Sequence, residues 1–350
     1  MNGALVRLYR ILATLVAAMT ATALAACSPA AQPTQSASPG TALGTAGSAF
    51  PVTVDHAFGS TTIEKKPTRV ATVAWANHEV PLALGVVPVG MSKATWGDDY
   101  KDGLLPWVKE KLDALGAQTP VLFDETDSIP FEQVAGTKPD VILAAYSGIT
   151  KQDYETLSKI APTIAYPGVA WGTSYEDMIR LNAKAMGMVA EGDQLIADLG
   201  KHTAEALKKY PNLKDKKVLF SSHSADDLSQ VGFYSTKDPR TGFLKDNGFS
   251  MPAVVEQESA KSDKFYITVS AEKPELFSDV DFIVTYGPED PAPLLKAMQD
   301  NPLLAKIPAV KDGRIVFLGN SPLAAAANPS PLSITWGIDK YFAKLNEAVS

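Results

Sequence analysis

Residues 174–189 read SYEDMIRLNAKAMGMV, and the organisation of the whole chain depends on how this segment folds. Ser174 is suited to cap the start of a helix, and Asp177 stands three residues later, as in a capping box. Apolar or small side chains then recur at steps of three and four, at Tyr175, Met178, Ile179, Asn182, Met186 and Val189. This spacing is typical of a helix that buries one face. The segment therefore predicts a long helix, and an ordinary surface helix is the alternative.

The segments on either side favour a crossover between two similar halves. Short apolar runs that predict buried strands alternate with helical patterns in both halves. The runs lie at 69–74, 88–91, 140–145 and 163–165, and again at 217–220, 281–286 and 314–317. The sequence thus predicts an α/β protein with two Rossmann-like lobes, whose mostly parallel sheets are joined by a single long α-helix. The predicted boundaries are 50–173, 174–190 and 191–350.

The N-terminus predicts an exported lipoprotein. Arg7 and Arg10 precede an apolar run at 11–24, which is typical of a signal peptide over residues 1–26. The run ends in Leu-Ala-Ala-Cys, which matches a bacterial lipobox with Cys27 as the lipidated residue. Residues 27–49 lack charge and are rich in Ser, Pro, Ala and Gly, so we expect a flexible tether. The domain would then be anchored by lipid, such as palmitate, to the outer face of the cell membrane.

Charge and motifs exclude several classes of protein. Beyond residue 26 the chain carries 30 basic and 39 acidic side chains, which argues against a nucleic-acid partner. The sequence has no phosphate-binding glycine loop, no nucleophile elbow and no zinc-protease motif, so we assign no catalytic residue and no enzyme activity. His78 and His223 could hold a metal with Glu79 or Asp226, but three or four ligands are usual, and we assign no metal site. Hydrogen bonding to an organic ligand, or to local backbone, are the alternatives for these two histidines.

Aromatic residues supply the strongest signal for a binding site. Many follow the ends of predicted strands, where ligands of open α/β sheets bind. Arg240 could meet an anionic group through its forked guanidinium. The predicted ligand-binding residues are Trp75, His78, Trp96, Tyr100, Tyr146, Trp171, His223, Tyr234, Arg240 and Tyr286.

Three stretches resemble one known family. They are Lys66-Pro67-Thr68-Arg69-Val70, the run ALGVVPVG at 83–90, and the segment 131–142 with its Phe-Glu and Lys-Pro-Asp-Val-Ile motifs. Together they resemble the periplasmic binding proteins of iron–siderophore and cobalamin ABC importers. The segment Trp-Gly-Thr-Ser-Tyr at 171–175 is most similar to ferric-siderophore-binding lipoproteins of actinobacteria. The resemblance implies two lobes joined by a rigid helix, with the ligand in a shallow cleft between them. It also implies that one acidic residue on each lobe docks onto the permease, and Glu132 and Glu272 match those positions.

The expected function is capture of a ferric siderophore and its delivery to an ABC permease for iron uptake. The siderophore already wraps its iron in oxygen ligands, so we expect no resident cofactor. The scarcity of basic residues near the predicted cleft, where Lys93 and Arg240 stand, favours a hydroxamate or mixed siderophore over a tris-catecholate. We expect a monomer. Binding of haem, cobalamin or a metal ion is the first alternative, and an exported lipoprotein enzyme is the second.

Overall fold

The computed structural model describes residues 50–222 and 227–350, so the predicted signal peptide, Cys27, the tether, His223 and Asp226 lie outside the described residues. The strands are β1 (Val52–His56), β2 (Gly59–Ile63), β3 (Val70–Thr72), β4 (Gly90–Ser92), β5 (Val121–Phe123), β6 (Val141–Leu143), β7 (Thr163–Ile164), β8 (Val218–Ser222), β9 (Gln230–Tyr234), β10 (Tyr266–Ser270), β11 (Phe282–Tyr286) and β12 (Ile315–Phe317). The helices are α1 (Glu79–Ala83), α2 (Pro106–Ala114), α3 (Phe131–Gly136), α4 (Lys151–Leu157), α5 (Tyr175–Ala185), α6 (Val189–Leu207), α7 (Pro239–Asp246), α8 (Ala253–Ser259), α9 (Ala292–Asp300), α10 (Pro308–Lys311), α11 (Pro322–Ala326) and α12 (Pro331–Asn346). None of the helices within these ranges is long and apolar enough to cross a bilayer.

Two five-stranded sheets share one strand order, which confirms the predicted α/β class. The first sheet runs β5-β4-β3-β6-β7 and the second runs β10-β9-β8-β11-β12. All pairs of the first sheet are parallel, whereas β9 pairs antiparallel with both β8 and β10. In each half the earliest strand of the sheet lies at the centre, and later strands are added first on one side and then on the other. The switch between sides falls at β3/β6 and at β8/β11, where open α/β sheets bind ligands.

The central strands are buried on both faces, as their mostly apolar sequence predicts. Every residue of β6 is buried, and so are the first four residues of β11. The outer hairpin β1–β2 instead alternates buried and exposed residues, because only one of its faces packs on the core.

A matching pair of aspartates supports the predicted similarity of the two halves. The Asp140 amide donates to the Arg69 carbonyl at 2.8 Å, and its carboxylate accepts from the Arg69 amide at 2.9 Å. Asp281 repeats both contacts with Lys217, at 2.9 and 2.7 Å. Each aspartate therefore ties the amino ends of the two central strands of its sheet.

The connection between the sheets is two helices, which corrects the prediction of one long helix over 174–190. Helix α5 ends at Ala185 and α6 begins at Val189, and the two helices pack against each other. Gly187 lies between them with a φ of +68°, and the Met188 amide donates to the Ala183 carbonyl at 2.9 Å. These contacts form a Schellman motif, in which a left-handed glycine ends a helix. The predicted domain boundaries stay predictions.

The C-terminal helix also connects the two halves of the chain. Helix α12 packs against α6 and against α1 and α2 of the first half. The buried Glu79 accepts from the Trp107 indole at 2.7 Å and from the Leu332 amide at 2.9 Å. Burial raises the pKa of this carboxyl, against the effect of those hydrogen bonds. The contacts of α12 with α1 and α2 are therefore a second connection between the two halves, in addition to the chain crossover through α5 and α6.

Candidate ligand-binding cleft

The carboxyl ends of the central strands bring the predicted binding residues towards one place. Trp75 follows β3, Tyr146 follows β6, and Tyr286 is the last residue of β11. The ring of Trp96, from the first half, lies 5.2 Å from that of Tyr286 in the second half, in an edge-to-face arrangement. Aromatic side chains from both halves therefore meet across the switch points of the two sheets.

An aromatic hollow of about 270 Å³ lies at this meeting point. Its lining is Trp75, Trp96, Tyr146, Trp171, Arg240, Phe265 and Asn328. Five of these seven residues are aromatic, and only one carries a formal charge. Such a surface suits a large organic ligand that presents apolar faces together with a few polar atoms.

Arg240 supplies the single charge of the hollow and is held rigidly. Its Nε donates to the Tyr286 hydroxyl at 2.9 Å, and its Nη1 donates to the Asp238 carboxylate at 2.7 Å. The guanidinium also lies 4.3 Å from the ring centre of Tyr234, within the range of a cation–π contact. Its Nη2 donates to none of the described residues, so these two N–H groups can bind a ligand oxygen.

The ion pair between Arg240 and Asp238 is almost fully buried, and burial changes the pKa of both side chains. Asp238 also caps α7, because its carboxylate accepts from the Arg240 amide at 2.8 Å. Burial raises the pKa of Asp238 to about 6, while the Arg240 guanidinium opposes that rise. Burial alone would lower the pKa of Arg240, but Tyr286 and Asp238 outweigh it and raise that pKa. The pair is ionised at neutral pH, so the net charge that the hollow offers a ligand is small.

Tyr146 is positioned by contacts from both halves. Asn328 Nδ2 donates to its hydroxyl at 3.0 Å. The buried Asn77 donates from Nδ2 to the Tyr146 carbonyl at 2.8 Å and accepts from the Tyr146 amide at 3.1 Å. The Asn182 side chain on α5 donates to the same Asn77 oxygen. Burial raises the pKa of the Tyr146 phenol, so this residue stays protonated at neutral pH.

Trp171 forms one wall of the hollow in a constrained conformation. Its φ of +60° lies in the left-handed region, which is unusual for a bulky residue. The indole lies directly over Gly148, where a β-carbon would stand 2.1 Å from Nε1. Only glycine at 148 therefore allows the ring to pack there, and the ring also meets Tyr146 edge to face at 5.4 Å.

A second cavity, the Glu125 pocket, shares Trp75 and Trp171 with the hollow. It measures about 190 Å³ and lies among the ends of β3, β4 and β5, with Glu125, His78 and Ser92 as polar lining. Burial raises the pKa of Glu125 to about 7 and lowers the pKa of His78 to about 4. His78 is therefore neutral near pH 7, and it lies in this pocket rather than in the hollow.

The other predicted residues that the structure describes lie outside the lining of the hollow. Tyr234 and Tyr286 contact Arg240 from behind and so support the hollow without lining it. Tyr100 is 69% exposed and does not line the hollow. Lys93 lines the Glu125 pocket, with its ammonium 3.1 Å from Asp124. The described residues contain no group of three His, Cys, Asp or Glu side chains that could hold a metal ion.

Sequence reasoning missed several residues that shape the cleft. Asn328 and Phe265 line the hollow, and Asp238 orients Arg240. The Asn-Pro pair at 328–329 was a visible turn signal after an alanine-rich run. Phe265 directly precedes β10, whose half-buried alternating pattern was also overlooked.

The two matched sheets, with a ligand-sized hollow between their carboxyl ends, define a cleft-type binding protein. The periplasmic binding protein family model matches residues 70–322, and the chain belongs to that family.

Similar proteins bind iron carriers. The structure of PiaA from Streptococcus pneumoniae in complex with ferrichrome matches with a TM-score of 0.81 and 46% identity, covering 85% of this chain and 98% of that one. The probable siderophore-binding lipoprotein YfiY of Bacillus subtilis is 30% identical over 67% of this chain and 69% of its own length. The iron(3+)-hydroxamate-binding protein YxeB of the same organism is 25% identical, over 73% of this chain and 74% of its own.

Proposed function

We propose that this protein binds a ferric siderophore in the aromatic hollow and delivers it to an ABC permease for iron uptake. The observation that carries the proposal is the rigid Arg240 guanidinium in the lining of the aromatic hollow, whose Nη2 donates to none of the described residues. A ferric siderophore presents metal-bound oxygens that accept such N–H groups and an organic shell that packs on indole and phenyl faces. The protein then acts by binding alone, as a monomer without catalysis or a resident cofactor. PiaA and the two Bacillus relatives support the same cargo.

The charge of the hollow favours a hydroxamate or mixed siderophore. One guanidinium, partly neutralised by the buried Asp238, suits a nearly neutral iron shell better than a strongly anionic tris-catecholate. Haem with a tyrosinate ligand is disfavoured, because burial keeps the Tyr146 phenol protonated and Asn328 already donates to its oxygen.

Fluorescence titration of the lipid-free protein tests the proposal, because Trp75, Trp96 and Trp171 line the hollow. We expect ferrichrome or ferrioxamine B to quench emission at sub-micromolar concentration. Arg240→Lys keeps the positive charge but loses the forked guanidinium group. The affinity for the ferric siderophore should therefore fall about tenfold to a hundredfold. Arg180→Lys, on the exposed face of α5, is the matched control and should bind normally. Quenching by haemin, cobalamin or free zinc alone would contradict the proposal, and so would full affinity in Arg240→Lys.

The permease-docking assignment gains support from topology. Glu132 is exposed in the first turn of α3, the first helix after β5, and Glu272 is exposed in the turn after β10. Strands β5 and β10 hold the same edge position in the two sheets. The two carboxylates therefore follow corresponding edge strands, which supports the proposed pair of contacts with basic residues of a two-fold permease.

We also propose that Cys27 carries the lipid that holds the protein on the outer face of the cell membrane. The lipobox before Cys27 supports this, and so does the relative described as a siderophore-binding lipoprotein. Cys27→Ala should move the protein from the membrane fraction to the soluble fraction of lysed cells. Retention of the variant in washed membranes would contradict lipidation.

A further inference from the structure

The Glu125 pocket contains buried polar atoms that the fold itself leaves without partners. Glu125 Oε2 accepts from the Ala74 amide at 2.8 Å, but Oε1 has no hydrogen-bond partner among the described residues. His78 Nδ1 likewise has no hydrogen-bond partner among the described residues. The Ser92 side chain lies within reach of the Glu125 carboxyl group and, as a hydrogen-bond donor, opposes the rise of its pKa. Buried acceptors without partners are costly, so a site that keeps them is suited to a ligand that donates to them.

The pocket also has no internal cation for Glu125 within the described part of the chain. Lys93 is the basic residue of the lining, and its ammonium forms an ion pair with Asp124 instead. His78 is neutral, because burial lowers its pKa to about 4. The carboxyl group therefore lacks a counter-charge, and burial accordingly raises its pKa to about 7.

Much of the remaining lining of the Glu125 pocket is apolar. Met91, Leu105 and Val108 are almost fully buried and face the same cavity. At about 190 Å³ the pocket has room for a short chain of atoms. It shares Trp75 and Trp171 with the hollow, so the two cavities are adjacent.

We propose that the Glu125 pocket binds a short aliphatic side arm of the cargo that ends in a primary ammonium group. The methylenes of the arm pack on the apolar lining, and the ammonium donates to Glu125 Oε1 and to His78 Nδ1. This inference rests on the proposed function and deepens it, because it adds selectivity among ferric siderophores.

Three ferric ligands test the inference by fluorescence titration near pH 7.5. Ferrioxamine B carries a free aminopentyl arm, its N-acetylated form lacks the ammonium, and ferrichrome has no such arm. We expect wild-type protein to prefer ferrioxamine B over the acetylated form about tenfold, the size of one charge-assisted hydrogen bond. Glu125→Gln should bring this ratio close to one while leaving ferrichrome affinity unchanged, which also reports that the variant is folded. Glu110→Gln, on the exposed side of α2, is the matched control and should keep the preference.

A second variant tests the size of the Glu125 pocket rather than its charge. Ala94 lines the pocket and is partly exposed, so Ala94→Leu narrows the pocket without overfilling the core. This variant should have a lower affinity for ferrioxamine B and an unchanged affinity for ferrichrome. Equal wild-type affinity for the amine and its acetylated form would overturn the inference while the proposed function stands, and so would a preference that survives in Glu125→Gln. If none of the three ferric ligands binds, the proposed function and the inference both fail.

Discussion

Glu125 makes the stability of the free protein depend on pH at the scale of a single residue. Burial raises its pKa in the folded protein to about 7, against 4.5 as the ordinary value. Between these two values the folded state binds more protons than the unfolded state, so stability falls as pH rises. The loss in the free energy of unfolding amounts to at most about 3.5 kcal/mol, because one pKa unit corresponds to about 1.4 kcal/mol.

Glu125→Gln mimics the protonated side chain and should abolish this pH-dependent loss. We expect the variant to match wild-type stability near pH 4.5 and to exceed it above pH 7. Urea unfolding at a series of pH values measures the difference, and Glu110→Gln sets the baseline for the loss of one exposed carboxylate. A constant difference between wild type and Glu125→Gln at all pH values would show that burial does not shift this group.

At the scale of elements, the contact between α5 and α6 depends on one glycine. A β-carbon at Gly192 would stand 2.6 Å from the Ala183 β-carbon, closer than two methyl groups can approach. The helices pack at this distance only because α6 has no side chain there. Gly200 lies further along α6, and a β-carbon at that position would meet no other atom within 4 Å.

The two glycines should therefore respond in opposite directions to alanine. Gly192→Ala raises the helix propensity of α6 but forces α5 and α6 apart. We therefore expect the free energy of unfolding to fall by about 1–3 kcal/mol. Gly200→Ala gains propensity without a clash and should stabilise the protein by up to about 1 kcal/mol. Chemical unfolding of both variants measures the changes. A stabilised Gly192→Ala would mean that the helices can separate without cost.

The elements that could be predicted from sequence are those whose pattern is local. The buried runs at β6 and β11 consist mostly of apolar residues, so both strands were found. Strand β9 was missed because Gly232 interrupts it, and β10 because both its faces are only partly buried. The break between α5 and α6 could have been anticipated, since Gly187 stands within the predicted helix and glycine weakens a helical turn.

The candidate site was predictable in outline only. The aromatic residues that follow strand ends were identified, because the topology of open α/β sheets places them there. The partners that orient them were not, since Asn328 meets Tyr146 across 182 residues of sequence. The partition of the cleft into a hollow and the Glu125 pocket likewise depends on packing between distant segments, which no local pattern encodes.

At the scale of the whole molecule, the permease-docking proposal separates binding from transport. Because Glu132 and Glu272 lie on edge elements and do not line the hollow, Glu132→Ala combined with Glu272→Ala should leave ligand affinity unchanged. Uptake of iron-loaded siderophore by cells should fall to the level of cells that lack the protein. Glu110→Ala combined with Glu205→Ala removes two other exposed carboxylates and should retain uptake. Normal iron uptake by cells with the Glu132→Ala, Glu272→Ala protein would contradict the docking assignment, and so would weaker ligand binding by that protein.

The hydrogen bond from Leu332 to Glu79 spans 253 residues of sequence, and it bears on how the newly made chain folds. Synthesis proceeds from the amino end, so the first half is made long before its last partner. Until α12 is made, the Glu79 carboxylate lacks the Leu332 donor, and the faces of α1 and α2 that α12 covers stay open to water. Closing so long a loop is slow compared with local helix formation. The amino-terminal sheet therefore completes its native packing only after the final turns of the polypeptide have been synthesised.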